Sequence, residues 1–415
     1  MSFYRSTAAL SCLGMLLLSQ SPVRAFELGP VNINGFLSQG YINSSGNNFL
    51  SNSREGSTQY NEMAVTVSSQ LSEKLRVGMQ LLSRDLGPAG NNEIRLDWAF
   101  GDYHYDDLLG IRAGKVKLPL GLYNEGRDSD FMRPMVFLPQ SIYDENKRDL
   151  MVAYKGLGIY GNVPAGSAGD FDYHIYGGSI DYFMDSGQAR GVSQQLQGIA
   201  QRQGKTLNGL EISNRYVYGG SLIYNTPLEG LRMGVSTFTG KSDFDSSVTS
   251  YTTNPETHVT TSDTKAYKGY GNMRNMVVGS FEYSSPHFTL ASEYTQFRAV
   301  KNFSIAPVIY GGMSDGWYLM LSVPVKKFTV SGLYDVFYED RNDRHGDRLR
   351  AQGVNNYQAW RKDLGVALRY DLNQNWAMKT EYHYIDGAAI GTAVFNTQGV
   401  KRYWNYFAAK VSYNF

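Results

Sequence analysis

Charged residues of both signs are concentrated between positions 112 and 149 of this chain. Lys115 and Lys117 stand two positions apart, and in a β-strand such residues project to the same side. The stretch that follows mixes acids and bases: Glu125, Arg127, Asp128, Asp130 and Arg133. Carboxylates and cations that face each other across a narrow passage create a transverse field that orients polar solutes. The stretch therefore predicts a selective constriction, and a loop stabilised by its own salt bridges is the alternative.

Residue patterns typical of catalysis are absent from the sequence. The six histidines are scattered and form no H-E-x-x-H pair, and there is no G-x-S-x-G elbow and no P-loop. A single cysteine excludes a multi-cysteine metal site. We therefore predict no enzyme, no catalytic residue, no metal and no cofactor. A hydrolase whose Ser, His and acid are dispersed over a barrel is the alternative.

The elements that would position these residues are indicated by a period of two, which is typical of β-strands with two different faces. No stretch of comparable length shows helical periodicity. Sixteen segments of about ten residues alternate in this way. They lie near 31–43, 60–71, 75–85, 92–105, 109–118, 150–163, 169–181, 211–225, 231–243, 273–285, 288–302, 314–324, 328–341, 361–372, 375–387 and 403–415.

The connections between these segments alternate between tight turns and long loops. The long ones are 44–59, 86–91, 119–149, 182–210, 244–272, 303–313, 342–360 and 388–402. Transmembrane barrels sort their connections in this way, with short turns at one end and long loops at the other. The predicted fold is therefore all-β: a 16-stranded antiparallel transmembrane β-barrel.

The N-terminus has the features of an export signal. Arg5 precedes an apolar run at 8–18, and small residues flank a cleavage position after Ala25. We predict a signal peptide at 1–25 and one barrel domain at 26–415. With 39 Lys and Arg against 38 Asp and Glu, the chain lacks the basic surplus of a nucleic-acid binder.

The cost of placing charges in lipid predicts which side chains line the lumen. Two ammonium groups that face lipid would cost about 2–4 kcal/mol each near the midplane, so Lys115 and Lys117 are expected in the lumen or at its mouth, and the outer headgroup zone is the alternative. The polar positions of the alternating segments give a set of candidates on the barrel wall: Arg76, Arg95, Arg215, Arg369 and Lys379. The two lysines favour anionic solutes weakly, because the charges of the neighbouring loop nearly cancel.

The last segment ends in an apolar ladder that includes Tyr413 and the terminal Phe415. This ladder resembles the C-terminal signature of Gram-negative outer-membrane barrels. That signature is recognised by the barrel-assembly machinery. The resemblance implies that Phe415 and Tyr413 form an assembly signal.

With its leader, its strands and its terminal Phe, the chain resembles the outer-membrane porins over essentially its whole length. Residues 114–128, which read GKVKLPLGLYNEGRD, look like a motif of the group that includes phosphate-selective and dicarboxylate-related porins. The resemblance implies a homotrimer in the outer membrane of a Gram-negative bacterium, in contact with lipid and lipopolysaccharide. It also implies passive diffusion of small hydrophilic solutes and a third outer loop, 119–149, that folds inward. A structural or adhesive barrel is the alternative that does not transport.

Overall fold

The computed structural model describes residues 30–87 and 90–415. The predicted signal peptide at 1–25 lies outside the described residues. Within them, sixteen antiparallel strands form one closed barrel, which confirms the predicted fold class and strand number. The strands are β1 Val31–Ser45, β2 Asn61–Gln70, β3 Leu75–Asp85, β4 Ile94–Asp106, β5 Leu109–Lys117, β6 Ala153–Pro164, β7 Asp170–Ser179, β8 Lys205–Asn225, β9 Leu231–Thr253, β10 Thr260–Ser284, β11 Thr289–Phe303, β12 Ala306–Val325, β13 Phe328–Tyr338, β14 Trp360–Asp371, β15 Trp376–Gly387 and β16 Tyr403–Asn414.

Helical segments lie between the strands. The α-helices among the described residues are α1 Arg148–Met151, α2 Gly187–Arg202 and α3 Asp347–Ala351. The short 3-10 turns are Ser53–Glu55, Asp130–Met132, Glu145–Lys147, Gly166–Ala168, Asn356–Ala359 and Thr392–Phe395. In the described part of the chain, none of the helices has the length and hydropathy of a membrane-spanning helix.

The barrel closes where the first strand meets the last. Each strand pairs with its sequence neighbours, and β1 pairs with β16. Gly35 and Phe415 exchange backbone hydrogen bonds of 3.1 and 3.0 Å, so the terminal residue completes the seam. A Cβ atom on Gly35 would lie 2.4 Å from Cζ of Phe415 and 2.6 Å from the backbone carbonyl oxygen of Ala64, so a larger residue would displace the terminal ring or the neighbouring strand. Recognition of Phe415 and Tyr413 during assembly stays a prediction.

The two faces of the wall differ in polarity as the alternation predicted. On β14, Leu364, Val366 and Leu368 are exposed on the outside, whereas Asp363 and Ala367 are buried on the inside. Aromatic rings lie at the strand ends in contact with one another, as with Phe171 and Tyr224, Phe328 and Tyr370, and Trp376 and Tyr413. Such rings are typical of the girdles that flank the apolar band of a membrane barrel.

Two of the predicted long loops are in fact strands. The residues 244–272 belong mostly to β9 and β10, which pair far beyond the neighbouring strands and are joined by 254–259. Strands β11 and β12 are likewise separated only by 304–305. The 244–272 extension is rich in Ser, Thr and Asp, and its polarity made it look like a loop. Tall hairpins therefore rise on one side of the barrel, at the end that carries the long loops.

The expectation of no substantial helix is wrong for α2. Val192, Leu196 and Ile199 recur at helical spacing and are buried against Phe244 and Phe303 of the tall hairpins. Ser186 caps the helix, because its hydroxyl oxygen accepts a hydrogen bond of 3.2 Å from the Ala189 amide. The helix is thus stabilised by a wall that rises beyond the predicted strand ends.

Candidate channel constriction

The connection between β5 and β6, residues 118–152, contacts inward-facing residues on several sides of the wall. The Leu122 amide donates to Oε1 of Glu293 on β11 at 2.9 Å, and the Val136 amide donates to Oε2 of Glu381 on β15 at 2.8 Å. The Ser141 amide donates to Asp335 on β13 at 3.2 Å. We refer to 118–152 as the lumen loop, because its backbone is bonded to strands that lie far apart around the barrel.

The tip of the lumen loop is anchored by a buried carboxylate. Asp130 lies 2.6 Å from the Arg133 guanidinium, 2.8 Å from the Lys410 ammonium and 3.6 Å from the Lys379 ammonium. It also accepts a hydrogen bond of 2.6 Å from the Ser412 hydroxyl. Burial alone would raise the pKa of Asp130, but Lys410, Arg133 and Lys379 lower it well below its usual range. One acid therefore ties the tip to two neighbouring strands.

A second cluster joins the loop to β4 and β5. Asp128 accepts hydrogen bonds from Lys117 and Arg148. Asp97 on β4 lies 2.9 Å from the Lys117 ammonium and 3.1 Å from the Arg148 guanidinium. All four side chains are almost fully buried, so their charges compensate one another inside the barrel.

Glu145 binds the C-terminal part of the lumen loop to the wall. It lies 2.8 Å from Arg127 within the loop and 3.2 Å from Arg84 on β3. Burial alone would raise the pKa of Glu145, but Arg127 and Arg84 outweigh that effect and lower it to about 2 from an ordinary 4.5.

This depressed pKa predicts how the loop responds to acid. A carboxylate with a lowered folded-state pKa stabilises the fold above its ordinary pKa, and the stabilisation disappears as the pH falls through the folded-state value. We expect the part of the loop's stability that depends on Glu145, taken as the difference in open-channel noise between the unmodified chain and Glu145→Gln, to be constant from neutral pH down to about 4.5 and to disappear toward pH 2, as Glu145 is protonated. Current recordings across this range test the expectation. A transition centred between pH 5 and 7 would contradict it.

Apolar and neutral contacts complete the packing of the loop. Phe137 stacks on Tyr60 of the wall at 5.1 Å between ring centroids. Glu293 is buried and accepts hydrogen bonds from the Tyr143 hydroxyl at 2.5 Å and from the Tyr318 hydroxyl at 2.9 Å. The loop is therefore bound to the wall by rings and hydrogen bonds as well as by ion pairs.

Several anchoring residues were missed by the sequence analysis, namely Glu293, Glu381, Lys410 and Glu62, which lies 3.7 Å from Arg133 of the loop. A signal for them was present. Lys410 alternates with the apolar ladder of the last strand and therefore has inward parity, and Glu293 and Glu381 have inward parity in their own strands. What the sequence lacked was the segment that each of them would bind.

A vestibule surrounds the tip of the lumen loop at the end of the barrel that carries the short turns. It consists of three adjoining cavities of about 440, 630 and 610 Å³. Gly126 and Met132 line the first two, and Arg112 and Glu125 line the last two. Arg232 lines the first and the third, so the cavities adjoin one another around the tip.

Arginines bring positive charge to the water in this vestibule. Arg76 and Arg112 share Asp102 at 3.2 and 3.4 Å. Arg232 binds Glu282 at 2.8 Å. The Arg369 guanidinium donates to the carbonyl oxygens of Phe131 and Arg133 in the loop tip, at 2.8 and 3.3 Å. The vestibule wall is therefore basic where it meets the loop.

The structure corrects the prediction for Lys115. Its Cα lies opposite Lys155, which shares a strand face with the exposed residues Leu157 and Ile159. Its ammonium lies 3.2 Å from Asp181 and donates to the Leu96 carbonyl, so its charge is compensated at the outer face. The prediction that Lys115 faces the lumen is wrong. Strand β5 alternates the other way, and Arg112 is the residue that points inward.

Lys117 and the remaining wall candidates have different positions. Lys117 has the parity of Lys115, but it stands at the last position of β5 and its ammonium turns to Asp97 and Asp128. Arg369 and Lys379 contact the loop tip, and Arg76 lines the vestibule. Arg95 lies at the long-loop end of the wall, away from the vestibule, and 2.5 Å from Asp185.

The prediction that Arg215 lines the lumen is wrong as well. Arg215 occupies a bulge in β8 and binds Asp243 at 2.8 Å. Asp243 lies between the inward-facing Ser242 and Phe244, so this pair is on the outside of the tall hairpin. A bulge shifts the alternation by one residue, and the parity read from the sequence then fails.

Comparison with known proteins adds to this geometry. No family model and no curated protein sequence matches the chain. Several solved structures match it. An anion-selective porin from Comamonas acidovorans has a TM-score of 0.54 at 11% identity, and the match covers 93% of this chain and 99% of that one. Our chain has the porin fold.

Two further porin-fold structures match with similar coverage. OmpF of Salmonella typhi, solved with daunomycin, has a TM-score of 0.54 at 12% identity, over 93% of this chain and 97% of that one. The outer-membrane channel DcaP of Acinetobacter baumannii has a TM-score of 0.53 at 10% identity, over the same shares. At such identities the similarity concerns the barrel and not its solute.

Proposed function

We propose that this chain is a passive diffusion channel for small hydrophilic solutes in the outer membrane of a Gram-negative bacterium. The observation that carries the proposal is the lumen loop, which is bonded to Glu293 on β11 and to Arg84 on β3, eight strands away in the barrel, and leaves a charged vestibule beside its tip. A loop that narrows a water-filled barrel limits the size of the solutes that pass. A purely structural or adhesive barrel would not need buried charges at that place.

The outer face supports the membrane position. Exposed Leu and Val side chains form a band on β14, and rings pack at the strand ends. Only helices and closed sheets satisfy their backbone hydrogen bonds in hydrocarbon, and this sheet is closed. The short turns then face the periplasm. In this position the partners are membrane lipid, lipopolysaccharide and, during biogenesis, the barrel-assembly machinery.

We also propose a preference for anions. Its structural basis is the arginines that line the vestibule, and not Lys115 and Lys117. Arg76 keeps 49% of its side chain exposed, whereas its partner Asp102 keeps 7%. Arg232 keeps 40%, and its partner Glu282 keeps 12%. A solute in the vestibule therefore meets the guanidinium groups more readily than the carboxylates. Glu125 on the loop tip faces them and supplies the negative side of the field.

We also propose that the chain forms a homotrimer, as its resemblance to the porins implies, and that it has no enzymatic activity, metal or cofactor. Planar-bilayer recording distinguishes a porin from a barrel hydrolase and from an adhesin. A porin gives stepwise conductance, whereas a hydrolase or an adhesin gives none. A purified protein that inserts into bilayers but shows no conductance steps would contradict the proposed channel.

The selectivity of the channel should depend on the vestibule arginines. Replacing Arg76 and Arg232 with glutamine is expected to shift the permeability ratio severalfold toward cations, because two exposed positive charges are removed. Reversal potentials in a salt gradient measure this ratio. Lys115→Gln is the control and should leave the ratio unchanged, because Lys115 lies on the outer face. An equal shift in the control would contradict the assignment.

A further inference from the structure

Two arginines face each other on the outer surface of the barrel. The Cα atoms of Arg274 on β10 and Arg298 on β11 are direct partners in the antiparallel register. Arg298 alternates with the buried residues Thr295 and Phe297 in the same way as Tyr294, which is exposed on the outside. Both arginines therefore project outward, and both are exposed. Like charges directly opposite each other destabilise a sheet unless an anion lies between them.

Neighbouring positive charges extend this pair into a patch. Arg341 binds the Gln296 amide oxygen at 2.7 Å, and the Lys241 ammonium lies 5.2 Å from the centre of the Tyr270 ring. Among the residues that the structure describes, these two side chains and the arginine pair form no ion pair. Acids close to them are already engaged, as Asp243 is with Arg215 and Asp340 is with Arg348.

The height of the patch relates it to the membrane surface. Tyr294 lies opposite the exposed Trp317, whose ring contacts Tyr334 at 5.6 Å. Exposed rings of this kind mark the border of the apolar band. Arg298 lies four residues beyond Tyr294 toward the long-loop end, about 13 Å along the strand. The patch is therefore at the level of the outer headgroups and not among the acyl chains.

We propose that Arg274 and Arg298, supported by Lys241 and Arg341, bind the phosphate of a lipid headgroup in the outer leaflet. Guanidinium groups bind phosphate oxygens in pairs, and one phosphate between two arginines removes their repulsion. The position on the outer wall commits the site to a membrane lipid and not to a solute in the lumen. The inference rests on the proposed outer-membrane position of the barrel.

The test uses the whole protein, stripped of lipid and placed in phosphatidylcholine nanodiscs. Addition of bisphosphorylated lipid A is expected to raise the melting temperature of the unmodified chain, and dephosphorylated lipid A is not. Arg274→Gln with Arg298→Gln should weaken binding about 20-fold, because each basic residue near a membrane surface contributes to the attraction. The matched control, Lys265→Gln with Arg350→Gln, removes two exposed charges at the long-loop end, away from the patch, and should bind normally.

Lipid-free samples provide a second readout. Without lipid A, the arginine variant should melt at the same temperature as the unmodified chain or higher, because the like-charge pair is gone. Equal lipid A binding by both proteins would overturn the inference, and so would equal effects of the two lipid A forms. Full competition by millimolar inorganic phosphate would indicate a free-phosphate site and would also overturn it. A channel that conducts but ignores lipid A refutes only this inference, whereas lipid A binding without conductance refutes only the proposed channel.

Discussion

Replacement of residues 125–145 by a short glycine-serine linker should raise the single-channel conductance several-fold. This segment contains the tip of the lumen loop and its two anchoring carboxylates, Asp130 and Glu145. It occupies space between opposite walls of the barrel. Its removal widens the narrowest part of the aqueous path, and ion flow rises with the cross-section of that part.

The base of the loop should survive this replacement. The Asn124 side-chain amide donates to the carbonyl oxygens of Leu118 and Met151 at 2.9 and 2.7 Å, so both ends of the replaced segment start from a fixed point. A control variant carries the same linker in place of 347–353, which lies in an exposed outer loop. It should keep the original conductance. An unchanged conductance in the first variant would mean that the loop does not limit the channel.

Asp130→Asn should have the largest effect of any single substitution in the loop. Arg133, Lys379 and Lys410 all direct their charges at this buried carboxylate. Removing one partner of a buried ion pair costs about 3–5 kcal/mol. Glu62 still lies beside Lys410 and Arg133. Lys379, however, has no other carboxylate partner among the described residues, and its charge stays buried. We expect the free energy of unfolding to fall by about that amount and the single-channel current to become noisy. Denaturant titration in micelles and bilayer recording measure the two effects.

A double variant distinguishes the loss of charge compensation from a general packing defect. Combining Asp130→Asn with Lys379→Met removes the stranded cation and should recover part of the stability. Glu125→Gln is the matched control in the same tip. Its carboxylate is more than half exposed and lies 3.8 Å from Arg112, so the loss should stay below about 1 kcal/mol. Strictly additive effects of Asp130→Asn and Lys379→Met would contradict the proposed anchor.

The local geometry of the wall could be predicted closely from the sequence. The alternation of β14 assigned Leu364, Val366 and Leu368 to the outer face and Arg369 to the inner face, and the structure agrees. The tight connections 71–74, 107–108 and 372–375 lie where the sequence placed them. Local patterns suffice here because the alternation of apolar and polar residues directly indicates the two faces of a strand. In addition, the outer face must be apolar wherever the wall contacts lipid.

The candidate site was predicted only in part. The charged residues of the loop were identified, but the partners of Asp130 come from β15 and β16, hundreds of residues further along the chain. The parity of β5 was misread, because the cost of a charge in lipid was applied to Lys115 without knowledge of Asp181 and the Leu96 carbonyl. A charge that is compensated at the wall does not obey the rule for an isolated charge.

The sequence by itself determined the closed antiparallel wall, its strand number, its two faces and the position of the charged loop. These properties depend on neighbours one or two residues apart and on the solvent that each face meets. Only the tertiary structure decided which acid meets which base, where the tall hairpins end and why α2 is helical. Those outcomes depend on contacts between strands that are distant in the chain, because ring closure brings together residues whose local patterns carry no information about one another.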